Sequence, residues 1–265
     1  MEDRYTVWPT SLLELLLLLN SLNSYIDIAL CPSEIQRSET TDLSQTTAVV
    51  FDVLRATTTM ITGLDHGVQR FFPVETVEAA RARKAQDPDV LLAGERGGLP
   101  LEGFDLGNSP KEFKEIKGQS VVLTTTNGTV ALHRVRHAKR IYVGALINLG
   151  ALAQVLAAEN STTILLVCAG TVEEFALEDA IAAGGLVDRL PDGSLSDAAF
   201  LVKNLYQQVS SDVLSCLRGS RNGRALAKIG KVEDVYECAQ VSVSQTVGVL
   251  DGNAVVRLGW PRQSH

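Results

Sequence analysis

Cationic charge is scarce in this chain: 24 Lys and Arg stand against 31 Asp and Glu in 265 residues, a formal net charge of -7. Phosphate backbones demand clustered Lys and Arg, and the lack of such clusters argues against a nucleic-acid partner. Cysteine is sparse too. Cys31, Cys168, Cys216 and Cys238 form no CxxC pair, which speaks against a structural zinc site or a secreted disulfide framework and fits a reducing cytoplasm. His66, His133, His137 and His265 show no metal-ligand spacing. The richest hydrophobic run, Leu12, Leu13 and Leu15 to Leu19, is broken by Glu14 and too short to span a bilayer. The Met-Glu-Asp-Arg start lacks the net positive charge of a signal peptide, so no membrane partner is expected. With no repeat or low-complexity block, 45% apolar and 21% charged residues describe a globular protein able to bury a substantial core.

From Tyr25 onward, β-rich runs alternate with segments of helical length. Strands are expected at Tyr25 to Cys31, Ala48 to Leu54, Phe71 to Glu75, Val90 to Ala93, Val121 to Thr125, Arg140 to Val143 and Thr162 to Cys168. Helices are expected at Val77 to Gln86, Gly128 to Val135 and Leu146 to Glu159, with one long helix at Ser196 to Leu217. Ser220 to Arg224 reads as a turn or helix start, Leu99 to Pro110 as a long functional loop, and Gln245 to Leu258 as a closing hairpin around Asp251-Gly252-Asn253. Such alternation predicts an α/β protein, a three-layer α/β/α arrangement with a largely parallel, mixed sheet. Its binding site belongs at the carboxyl edge of that sheet. Residues 25–265 are read as a single domain and residues 1–24 as an extension outside it. The sequence does not select an oligomeric state; symmetric dimers are common among metabolic α/β enzymes, and a homodimer is one candidate.

Two segments carry the chemistry. Phe51 to Thr59 reads Phe-Asp-Val-Leu-Arg-Ala-Thr-Thr-Thr, and Thr124 to Thr129 reads Thr-Thr-Thr-Asn-Gly-Thr. In each, an apolar run gives way to hydroxyls where a helical pattern begins, which gathers side-chain hydroxyls and free backbone N–H groups as an oxyanion requires. Asp52 is a carboxylate able to hold a metal, and Arg55 a guanidinium able to fork onto a phosphate or sulfonate. Thr57 and Thr58 could equally cap a helix. Thr125, Thr126, Asn127 and Gly128 form a candidate ligand loop, Asn-Gly also being the commonest tight turn. Glu95 and Arg96 add an acid and a base at another strand end, against the alternative of a solvated turn. Among Glu173, Glu174, Glu178 and Asp179, the last two follow a strand and a Gly-containing loop where a hard cation could be shared with Asp52. Cys168 ends an apolar strand and reads as a small buried hydrophobe. These features point to a small anionic, phosphorylated substrate.

Together with Ile-Asp-Ile-Ala-Leu-Cys-Pro-Ser-Glu from Ile26, Ala-Gly-Glu-Arg-Gly-Gly from Ala93, Gly-Phe-Asp-Leu-Gly-Asn-Ser-Pro from Gly103 and Leu-Glu-Asp-Ala from Leu177, the two segments closely resemble the 2-phosphosulfolactate phosphatase (ComB) family. The likeness runs from about Tyr25 to near Cys238. It implies a magnesium-dependent hydrolase that converts 2-phospho-3-sulfolactate to 3-sulfolactate and phosphate on a route to coenzyme M. On that basis Mg²⁺ is expected on Asp52 with Glu178 or Asp179, and Arg55, Thr58 and the Thr125 to Gly128 loop are expected to clamp the substrate. Two alternatives stand beside it: a phosphatase for another phosphorylated 2-hydroxy acid, or a non-catalytic binding protein for a phosphorylated or sulfonated metabolite.

Overall fold

The computed structural model describes residues 24–38, 41–159, 161–172 and 174–259. The leucine-rich run and Glu173 lie outside the described residues. Among the described residues no helix is long and apolar enough to cross a membrane.

The amino-terminal half supplies strands β1 (Tyr25–Ala29), β2 (Thr46–Phe51), β3 (Arg70–Pro73), β4 (Leu91–Arg96), β5 (Leu99–Pro100), β6 (Ser120–Thr124) and β7 (Arg140–Gly144). Helices α1 (Pro32–Ser38), α2 (Ala56–His66), α3 (Val77–Gln86) and α4 (Gly128–Arg134) connect most of them. The rest of the chain adds α5 (Leu149–Ala158), β8 (Thr163–Cys168), α6 (Leu177–Val187), β9 (Ser194–Leu195), α7 (Asp197–Val209), α8 (Val213–Gly219), α9 (Arg221–Lys228), α10 (Val232–Cys238), β10 (Gly248–Asp251) and β11 (Ala254–Arg257).

The eleven strands of the described residues share one sheet, ordered β5-β4-β6-β3-β11-β10-β7-β2-β8-β1-β9. The central pair shows why. β2 and β8 run parallel with Val49 beside Leu166, and both are apolar along their length because both faces are covered. Side-chain alternation sends Val49, Phe51, Leu166 and Cys168 into one core with α5 and α6. Ala48, Val50, Leu165 and Val167 enter a second core with Met60, Ile61 and Leu64 of α2 and Leu132 of α4. Helices on both faces of a mostly parallel sheet make the expected three layers.

The closing hairpin forms as the turn sequence requires, with Gly252 at φ 60°. It sits mid-sheet, not at an edge. β10 pairs antiparallel with β7, and β11 pairs antiparallel with β3 through Val255 and Phe71. The hairpin thereby joins a parallel block of β7, β2, β8, β1 and β9 to a second one of β3, β6 and β4. Three antiparallel pairings reverse strand direction between the blocks. Residues at the carboxyl ends of β4 and β6 still meet those after β2, since Glu95, Thr126 and Asp52 line one cavity.

Two expectations are corrected. The long helix at Ser196 to Leu217 is two helices, because Asp212 accepts from the Ser215 N–H at 3.1 Å and caps a new start. Leu146 to Glu159 opens with a 3₁₀ turn, Leu146–Asn148, before α5 begins, because the Asn148 side chain folds back onto the Ala145 N–H at 2.9 Å.

Candidate active site

β2 is apolar until Asp52, where the chain turns into α2. The turn is tied by the Asp52 N–H donating to Thr57 Oγ1 at 3.0 Å and the Thr57 N–H donating to the Asp52 carbonyl at 2.9 Å. Arg55, which precedes α2, makes no side-chain cap. The carboxylate of Asp52 takes that role, accepting from the Ala56 N–H at 3.3 Å and from the Gly128 N–H. Thr58 Oγ1 donates to the Val53 carbonyl at 2.8 Å. Thr57 and Thr58 therefore brace the turn from within and do not line the cavity described below.

Across the cleft, Glu95 at the end of β4 organises the second loop. Its Oε2 accepts from the Gly98 N–H at 2.7 Å, and its Oε1 accepts from both the N–H and the hydroxyl of Thr126 at 3.0 Å. Thr125 and Thr129 bond each other's backbones, and Asn127 Oδ1 accepts from the Val172 N–H at 3.0 Å. Gly128 then meets Asp52 directly. A Cβ there would stand 2.5 Å from Asp52 Oδ2 and 2.8 Å from Ala56 Cβ, so only glycine permits the approach.

Glu178 and Asp179 open α6, each 1% exposed. Asp179 Oδ1 accepts from the Val53 N–H at 2.8 Å and Oδ2 from the Gly170 N–H at 3.1 Å. That carboxylate pins the Asp52 turn to the loop after β8. Glu178 Oε1 accepts from Asn222 Nδ2 at 2.5 Å, and the same amide donates to Thr171 Oγ1 at 2.6 Å.

These buried acids repel one another. Burial first, then the Glu95 charge and more weakly Glu178, pushes Asp52 up to about 7, although the Ala56 and Gly128 N–H groups oppose the shift. Asp179 is raised by burial and then by Asp52 and Glu178. Burial also lifts the Cys168 thiol well above its usual range, consistent with a small hydrophobe and not a thiolate nucleophile.

Arg55 does not pair with Asp52. Its Nη1 donates to Asp234 Oδ2 on α10 at 2.5 Å and its Nη2 to the Gly98 carbonyl at 2.7 Å. Asp234 also accepts from Ser109 Oγ at 2.5 Å. Arg55 also lines the cavity described below. Arg96 bonds the carbonyls of Glu95 and Glu75 and the Thr124 hydroxyl, outside the cavity lining.

A cavity of about 330 Å³ lies where these elements meet. Asp52, Arg55, Glu95, Gly98, Asn108, Thr126, Asn127, Thr171 and Asn222 form its polar walls, and Leu54, Ala225, Leu226 and Ile229 an apolar one. Thr125, Gly128, Glu178 and Asp179 stand behind this lining. Arg55 is the sole cation among the described lining residues, and Asp234 balances its charge. Among the described residues no group of three or more His, Cys, Asp and Glu is placed to hold a metal ion.

Sequence reasoning missed Asn108, Ser109, Asn222 and Asp234. Asn108 and Ser109 sat in a segment already read as a functional loop. Asn222 lay in the Ser220 to Arg224 turn, and Asp234 carried no local signal because an acid in a helix's first turn usually serves only the dipole.

Fold and cavity thus define an α/β protein with a polar site where strand carboxyl ends converge. The family described as 2-phosphosulpholactate phosphatase matches residues 30–253. A probable 2-phosphosulfolactate phosphatase of Caldicellulosiruptor saccharolyticus is 44% identical over 212 residues, 76% of this chain and 88% of that protein. Proteins bearing the same name in Deinococcus radiodurans and Parasynechococcus marenigrum are 43% and 41% identical, over 77% and 79% of this chain and 87% and 93% of their own lengths. The chain belongs to the 2-phosphosulfolactate phosphatase family.

Proposed function

We propose that this protein is a magnesium-dependent phosphatase that hydrolyses 2-phospho-3-sulfolactate to 3-sulfolactate and phosphate in the cytoplasm, a reaction of the coenzyme M route. The relatives' names support the phosphomonoester hydrolysis. One structural observation carries it: Asp52, Arg55, Asn108 and the Glu95-anchored Thr126–Asn127 loop, from separate stretches of chain, line one cavity.

Magnesium fits the charge balance of that cavity. Asp52 and Glu95 face it, Glu178 and Asp179 lie behind, and Arg55 is already neutralised. A polyanionic substrate cannot enter such a site without added positive charge. Three or more protein ligands are not needed, because Mg²⁺ typically takes one or two carboxylates and completes its shell with water and phosphate oxygens. Asp52 would hold it, with Glu178 within electrostatic reach. When bound, the ion neutralises phosphoryl oxygens and eases attack on phosphorus. The protein's own groups do the rest. Arg55 offers a guanidinium at the cavity for an anionic oxygen, Glu95 fixes the Thr126–Asn127 loop beside it, and Leu54, Leu226 and Ile229 give it one apolar wall.

Phosphate release from a panel of phosphorylated 2-hydroxy acids, with Mg²⁺ and with EDTA, tests the reading. Release is expected to be fastest for 2-phospho-3-sulfolactate and abolished by EDTA. No release from any member would leave a binding protein in its place.

A further inference from the structure

One wall of the cavity is apolar, and it stands beside the groups that carry the chemistry. Leu54 lies on the turn between Asp52 and Arg55, while Ala225, Leu226 and Ile229, from α9 and its C-cap, share one face by helical spacing. Gly98 shows where two of the side chains end. A Cβ at that glycine would lie 2.8 Å from Ile229 Cδ1 and 3.7 Å from Leu226 Cδ2, with Arg55 Nη2 4.0 Å away. Both methyl ends therefore crowd the cavity-lining glycine whose carbonyl accepts from Arg55. Leu226 is 6% exposed and belongs to the core, but Leu54 and Ile229 are only half-buried and Ala225 is exposed. Apolar surface is thus left uncovered next to the polar groups of the cavity, the mark of a ligand with an apolar part.

The sulfonated substrate brings no such part, since phosphate, carboxylate and sulfonate occupy every arm of its three-carbon frame. We propose that the cavity also takes 2-phospho acids whose side chain is a branched aliphatic group, an inference that rests on the phosphatase reading above. The polar walls serve phosphate and carboxylate in both classes. An isobutyl side chain keeps the branched outline of the sulfomethyl group and drops its charge, so it fits the same arm while setting methyl groups against Leu54, Leu226 and Ile229. The reaction is the same. The oxygen of water bonds to phosphorus, and the ester P–O bond breaks with its electron pair leaving on the C2 oxygen. One water proton ends on that oxygen to give the 2-hydroxy acid, the other on the released hydrogen phosphate.

Phosphate release from 2-phospholactate and from 2-phospho-4-methylpentanoate in Mg²⁺ buffer, each measured as kcat/KM, tests the proposal. The isobutyl side chain carries three carbons more than methyl. A fully buried methylene is worth about fourfold, and cover from one side brings the expected gain to about tenfold. Ile229→Thr, which puts a hydroxyl in place of the Cδ1 arm, is expected to lower that ratio by about threefold or more. Because the ratio cancels any general loss of active enzyme, it reads the wall and not the fold. If Ile229→Thr does not fold, Ile229→Val is read in its place, with a fall of about twofold expected. A wild-type ratio below about threefold, or one that the variant leaves unchanged, would overturn the proposal. No release from any phosphorylated 2-hydroxy acid, 2-phospho-3-sulfolactate included, removes the phosphatase reading and this one with it, whereas release without preference for the isobutyl substrate removes this one alone.

Discussion

Arg55 Nη1 lies 2.5 Å from Asp234 Oδ2, with the two side chains 3% and 2% exposed. This pair binds the turn after β2 to a helix 179 positions downstream. Removing one partner strands a buried charge, so Asp234→Ala should cost about 3–5 kcal/mol in denaturant melts. The double variant Arg55→Met with Asp234→Leu should recover much of that stability while losing activity. A loss below about 1 kcal/mol for Asp234→Ala, the range of an exposed pair, would contradict the coupling.

Gly128 permits α4 to start against Asp52. Gly128→Ala places a methyl 2.5 Å from Asp52 Oδ2, so overpacking should cost about 1–3 kcal/mol and displace the carboxylate. Both are checked by a thermal melt and by turnover. Wild-type stability and rate in that variant would show the contact to be looser than described.

Asp52 makes metal-free stability fall with rising pH. Its ordinary value is 3.8, and burial and Glu95 push it up to about 7 in the folded chain. Between those values the folded state binds more protons than the unfolded one, so stability drops as pH rises through the window and levels off above about 7. The slope for one such group is at most about 1.4 kcal/mol per pH unit. Melts in EDTA from pH 4 to 8 should show the fall. Asp52→Asn should make it shallower without abolishing it, because burial still raises Asp179 in that variant, and Mg²⁺ should restore wild-type stability at pH 8 while leaving the variant unchanged. A flat EDTA profile for the wild type would remove the repulsion among these acids.

The β10–β11 hairpin is the seam between the two parallel blocks. A chain ending at Thr246 would leave the facing edges of β3 and β7 unpaired and the cleft without a fixed geometry. It should be recovered as aggregate or unfolded by circular dichroism. A folded, active truncation would show that the blocks associate without it.

Much of the layer arrangement was legible because β2 and β8 are apolar on both faces and hydroxyls follow β2 and β6 at once. The segments around Asp52 and Asn127 could be paired as one site for the same reason. The hairpin's mid-sheet place was not legible, since turn residues report a reversal and not its neighbours. Nor was Arg55's partner: Asp234 becomes its counter-ion only through tertiary packing. Thr57 and Thr58 show the limit of motif reading, because hydroxyls suited to an anion serve the backbone when buried behind the turn.

The most direct test compares wild type with Asp52→Asn for phosphate release from 2-phospho-3-sulfolactate in Mg²⁺ buffer, with circular dichroism confirming that both are folded. Magnesium-dependent release by the wild type and none above background by the variant is the predicted result. Equal release by the folded variant would take Asp52 out of the chemistry and contradict the site described above.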